Sequence, residues 1–210
     1  MGKPTSLREI LQRPEFNEQR SLQTTSHRSS LAVSCINSYG PADKFLTTFN
    51  PGNQFRYCQE VDRCYTGKAP AIKVLTEAYG EQVAESWVMI QLNDLSEFAG
   101  CKEKMSIHQI EQVAKIILME FGYLKVTELM HFFVLFKSGK FGKFYGAVDG
   151  LVITEALQEF TQLRAERLWR IARERERAER ALRNSEDTIT YEEWQELKWL
   201  FNMGYERTNK

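Results

Sequence analysis

No apolar run in this sequence approaches the roughly 18 residues that a membrane-spanning helix requires; the longest, Phe132 to Phe136, is far shorter. Arg8, Glu9 and Arg13 interrupt the start of the chain, which therefore lacks the continuous apolar stretch of a secretory signal. These two absences predict a cytoplasmic protein without a membrane partner. Histidine is scarce: three residues, in no spacing that specifies a Ser-His-Asp or Cys-His arrangement, so no catalytic residue is predicted. Cysteine is sparse too. Cys58 and Cys64 are close in sequence, but no second pair or nearby histidine completes a tetrahedral zinc site. Reduced thiols are expected in a chain without an export signal, and no metal or cofactor is predicted.

The chain carries 28 basic and 28 acidic residues, which argues against a generic polyanion binder. The charge is segregated, however. Residues 129–148 contain no Asp or Glu but carry Lys137, Lys140 and Lys143, and residues 164–183 carry eight Arg against four Glu. Residues 77–103 and 186–196 are acidic. Such asymmetry creates local fields that a net charge of zero hides.

Apolar periodicity is helical from about residue 41 onward. Residues 1–40 are rich in Ser, Thr, Gln and Arg; Ser6 and Glu9 form a capping box for a short helix that Pro14 ends, and the stretch as a whole is predicted to be a largely flexible arm. Gly40-Pro41 starts a helix reaching about Phe49, and a second helix is predicted from Gln54 to about Tyr65. Ile72, Leu75, Tyr79, Val83, Trp87, Ile90, Leu95 and Phe98 recur at mostly three- and four-residue steps, with Gly80 as a break and Gly100 as a terminator. Ser106 and Gln109 form the clearest capping box, with Met105 and Ile110 at the staple positions and Gly122 at the stop. From Thr127 to Lys137 nearly every side is apolar, the mark of a central core helix. Asp149 is placed to cap a long helix from about Leu151 to Arg183. Thr190 and Glu193 open a last one, stapled by Ile189 and Trp194 and ending before Gly204. The expected fold class is all-α: a compact helical bundle at 41–160, a charged helix extension at 161–185 and an aromatic C-terminal helix at 186–210.

The run Glu128-Leu129, Phe132-Phe133, Phe136-Lys137-x-Gly139-x-Phe141-Gly142-x-Phe144-Tyr145-Gly146-x-x-Asp149, followed by Ile153, Leu157, Phe160 and Arg164, resembles a block of uncharacterised proteins from phages and mobile elements of Bacteroidetes. Ala78-Tyr79-Gly80-Glu81 and Trp87 are similar as well. The resemblance spans about residues 72–164. It implies an accessory protein of a mobile genome and carries no reaction or site.

Two features are candidates for binding. In the loop 137–146, glycines let the backbone approach a ligand, Lys137, Lys140 and Lys143 suit phosphate, and Phe141, Phe144 and Tyr145 suit base stacking. The alternative is a structural connector whose aromatics plug the core. On the long helix Arg164, Arg167, Arg170 and Arg173 form a ridge at three-residue steps. The alternative is a solvated helix face laced with Glu–Arg pairs, in which Leu157, Phe160, Leu168, Ile171, Ala178 and Leu182 form a stripe for a partner helix. Trp194, Leu197, Trp199 and Phe201 are candidates for partner binding at the C-terminus. Glu128-x-x-His131 has one half of a di-iron carboxylate spacing, and the sequence supplies no second copy. The leading expectation is a non-catalytic accessory protein contacting DNA or RNA; the second is a protein–protein adaptor or homo-oligomerisation module.

Overall fold

A computed structural model of the chain describes residues 28–142, 144, 147–187, 191–196 and 198–199. Among them there is no strand, only two isolated backbone bridges, so the all-α expectation holds. The helices are α1 (Ser30–Tyr39), α2 (Ala42–Thr48), α3 (Gln54–Tyr57), α4 (Val61–Thr66), α5 (Ile72–Tyr79), α6 (Glu81–Phe98), α7 (Ile107–Glu120), α8 (Val126–Lys137) and α9 (Gly150–Asp187), with a 3-10 turn at Pro51–Asn53. They fall into two compact units, one running through Arg164 and one from Ala165 onward.

The first unit is organised around α8. Leu129, Met130, Phe132 and Phe133 have no exposed surface, as a helix apolar on nearly all sides demands. It packs against α3, α4 and α6. The first turns of α9 add Ile153, Leu157 and Phe160, all fully buried, and the Phe160 ring lies 5.6 Å from that of Phe132 in an edge-to-face pair. Helix α6 bridges α5 and α7 and buries Trp87, whose indole N–H donates to Phe49 O at 2.8 Å.

The start signals act as read. Ser106 accepts from Gln109 N–H at 3.3 Å while the Gln109 side chain accepts from Ser106 N–H at 2.8 Å, and the flanking Met105 and Ile110 are both buried. Asp149 accepts from Leu151 N–H at 2.9 Å at the head of α9. The apolar face from Ile72 to Phe98 does divide at Gly80.

Two expectations change, and a third holds for a different reason. Residues 1–27, with the predicted Ser6 helix, lie outside the described residues, but the end of the supposed arm is α1. Ser29 caps it by accepting from Ala32 N–H, Ala32 and Cys35 are buried, and it packs on α5. The predicted helix from Gln54 to Tyr65 is two short helices, because the chain turns at Cys58–Glu60. Gly122 follows α7, which ends at Glu120, yet its φ is not positive. Glycine is required there for space: a Cβ would stand 2.7 Å from Leu118 O.

Burial also perturbs a tyrosine at the α1–α5 joint. The Tyr79 hydroxyl donates to Gly40 O at 2.7 Å, and burial, with the neighbouring Cys35 adding to it, pushes its pKa above the usual tyrosine value.

Candidate functional site

The segment 137–146 begins at the end of α8, and its first lysine turns inward. The Lys137 ammonium pairs with the Asp94 carboxylate of α6, donates to Gln54 Oε1 at 2.8 Å, and its side chain is only 7% exposed. Gln54 in turn donates to Gln91 at 2.6 Å, and Gln91 donates to Phe49 O at 2.9 Å. Lys137 is thus the end of a buried polar chain linking α3, α6 and α8, and its assignment to phosphate contact is corrected. Two glycines at positive φ, Gly139 (81°) and Gly142 (90°), reverse the chain. The reversal returns Phe141 to 5.4 Å from the Phe132 ring and Phe144 to 5.1 Å from the Phe136 ring, nearly parallel to it. These two rings are committed to the core edge, as the connector reading has it. Lys140 alone of the described loop lysines faces solvent; Lys143 and Tyr145 lie outside the described residues.

The first arginine of the ridge is also committed. Arg164 Nε donates to Glu128 Oε1 at 3.0 Å, and its guanidinium lies 5.5 Å from the centre of the Tyr123 ring. Glu128 has no exposed surface, and its other oxygen accepts from Lys125 N–H at 2.9 Å at the start of α8. Lys125 extends its ammonium to Tyr65 O and Gly67 O, the carbonyl end of α4, where a cation is favoured. Beside it His131 Nδ1 lies 2.8 Å from the Tyr65 hydroxyl, and Thr127 donates to Cys64 O at 2.7 Å. Glu128 and His131 are therefore each occupied by helix-joining partners. Among the described residues no group of three or more His, Cys, Asp or Glu is arranged to hold a metal.

In the second unit, Arg167 is half-buried, Arg170 lies 3.9 Å from Glu174, and the Arg173 guanidinium sits 4.6 Å over the Trp169 ring. Arg175–Glu179 and Arg180–Glu176 pair at 3.3 and 3.6 Å. At 100° per residue, Arg170, Arg173, Arg177 and Arg180 fall within an arc of about 80° on one face, whereas Arg175 and Arg183 point to other sides of the helix. Each solvated pair contributes about 0.2–0.5 kcal/mol. Trp169, which sequence reasoning passed over amid the arginines, is 62% exposed.

Residues 191–196 are helical. The Trp194 ring stacks 6.1 Å from that of Tyr191 and carries the Lys198 ammonium 4.7 Å from its centre. Tyr191, Trp194 and Trp199 are all exposed. Leu197 and Phe201 lie outside the described residues.

These features define an all-helical protein with a polar-braced core helix and a charged, tryptophan-bearing C-terminal unit. Residues 104–203 match a family of unknown function, DUF6633. That span includes α7, α8, α9 and the aromatic segment; it leaves out residues 72–103 of the block read from the sequence and extends well beyond Arg164. No curated protein and no solved structure matches the chain. Among the described residues no helix is long and apolar enough to cross a membrane.

Proposed function

We propose that this is a non-catalytic accessory protein that acts by protein–protein association, its second unit pairing with a second copy of the chain. The carrying observation is the exposure of Trp169, Trp194 and Trp199, three of the protein's four tryptophans. Large exposed aromatics on a charged helix are typical anchors of protein interfaces. The charge pattern favours a like partner over a polyanion: residues 165–210 hold ten basic and ten acidic residues, with the arginines concentrated at 167–183 and half of the acids at 186–196. Such a surface complements its own copy and has no net attraction for nucleic acid. Leu168, Ile171, Ala178 and Leu182 keep seam spacing, with Arg175 as the one charged seam position, a device that can fix register between paired helices.

The setting we infer from the resemblance over 72–164 is the cytoplasm, in the replication or maintenance of a phage or other mobile genome. The test is light scattering of the full chain over a wide concentration range. A mass of at least about twice the 24.5 kDa chain is expected. Trp169→Ala, at an exposed position, should shift the distribution toward monomer. A monomer at every concentration overturns the reading.

A second reading, contact with DNA or RNA, rests on exposed Lys140 in the acid-free stretch 129–148, together with Lys143 and the ridge residues Arg167, Arg170 and Arg173. Binding that falls steeply with salt and is weakened by Lys140→Glu would favour it. Equal anisotropy for both proteins would remove it.

A further inference from the structure

The corner between α3 and α4 brings two thiols together. Cys58 closes α3, its N–H donating to Gln54 O at 3.1 Å, and its side chain is half-buried. Cys64 lies within α4 and is buried; its thiol donates to Tyr57 O at 3.3 Å, and its sulfur is 4.0 Å from Cys58 Sγ. The backbone on both sides is held. Cys64 O accepts from Thr127, Tyr65 O accepts from Lys125, and Glu60 and Arg63 pair at 2.6 Å across the intervening turn. The sulfurs are therefore opposed by the fold and not by chance contact of a loose segment.

We propose that Cys58 and Cys64 form a redox-active dithiol, a modification site that a low-molecular-weight disulfide converts into an intramolecular disulfide. Cys58, the more accessible of the two, loses its proton to solvent, and its sulfur attacks one sulfur of the small disulfide. The small S–S bond breaks, and one small thiolate leaves and takes up a proton. The Cys64 thiol then loses its proton, and its sulfur attacks Cys58 Sγ in the mixed disulfide, releasing the second small thiol. The cysteines lose two electrons and two protons; the small disulfide gains both and becomes two thiols. Closure from 4.0 Å to a bond of about 2.05 Å asks for a sulfur displacement of about 2 Å, which side-chain rotation supplies. Holding the second thiol beside the first makes the closing step effectively unimolecular.

The hydrogen bond with Cys64, and then burial, hold the Cys58 thiol above the usual range. The first step is therefore slow at neutral pH and quickens as pH rises. The disulfide would fasten the α3–α4 corner, which carries the Cys64–Thr127 and Tyr65–His131 contacts to α8. Two sulfurs alone do not make a tetrahedral metal site, which requires four ligands.

The experiment uses the full-length protein with oxidised glutathione at about pH 8, near the ordinary thiol pKa. Acid quenching, unfolding, maleimide labelling and intact mass measurement follow. Two of the four thiols should become unavailable, with no glutathione retained, a Cys58–Cys64 cross-linked peptide after digestion, and full recovery on reduction. Cys64→Ser should instead trap a glutathione adduct on Cys58. Should that buried substitution unfold the chain, Cys58→Ser, at a half-exposed site, keeps the test: it should form no intramolecular bridge. Four labelled thiols in the wild type, a bridge to Cys35 or Cys101, or a bridge surviving in Cys58→Ser overturns the proposal.

Discussion

Replacing Arg164 by methionine keeps the aliphatic stem and removes the guanidinium from Glu128. That carboxylate has no exposed surface and accepts two hydrogen bonds, from Arg164 Nε at 3.0 Å and from Lys125 N–H at 2.9 Å. With Arg164 gone, one backbone hydrogen bond remains for a full buried charge. Stranding one partner of a buried pair costs about 3–5 kcal/mol. The Arg164 side chain is itself 24% exposed, so water can reach the vacated position and the cost should fall at about 3 kcal/mol. Glu128→Gln is the milder half of the test. The amide oxygen still accepts from Lys125, and Arg164 can turn to solvent, so about 1–2 kcal/mol is expected. In the double variant no charge is left stranded, so the two losses should not add; a coupling of about 1–3 kcal/mol is expected. Urea titration followed by circular dichroism measures all three. An Arg164→Met loss below about 1 kcal/mol, or strict additivity, would refute the view that this pair holds α9 to α8.

Lys137 and Lys140 should separate cleanly in the same assay: Lys137→Met leaves buried Gln54 short of a donor and should cost about 1–3 kcal/mol, whereas Lys140→Met should stay within about 0.5 kcal/mol. Equal effects would mean that Lys137 is not held as described. Gly122→Ala forces a Cβ against Leu118 O at 2.7 Å and should lower the melting temperature, at a cost above about 1 kcal/mol; an unchanged melt would count against that close approach. Tyr79, with its pKa raised in the folded chain, binds its proton more tightly there than when unfolded. Its stabilisation is complete below about pH 10, the unfolded value, and is lost as pH rises from there toward the folded value. Tyr79→Phe should flatten that alkaline loss, and an identical pH profile for both proteins would contradict the assignment.

How much of this was legible in the sequence depends on the range over which each feature is decided. The helical class, the capping box at Ser106, the break at Gly80 and the core helix from Val126 to Lys137 follow from residues within a turn or two of one another. Their hydrogen bonds and apolar spacing are local, so the sequence by itself determines them. The site residues were decided elsewhere. Lys137 and Lys140 look alike in an acid-free segment, and only packing sets one against Asp94, 43 residues earlier, and leaves the other in solvent. Arg164 belongs to an evenly spaced arginine series, yet Glu128, 36 residues away, singles it out. Helix α1 lacked a convincing pattern because only Ala32 and Cys35 are buried along it, and its docking on α5 supplies what local periodicity does not. Cys58 and Cys64 were legible as neighbours in sequence, but the turn that opposes their sulfurs is fixed by α8 through Thr127 and Lys125. A charge or thiol acquires its role from whichever partner meets it across the core, and that meeting is settled by how the helices pack.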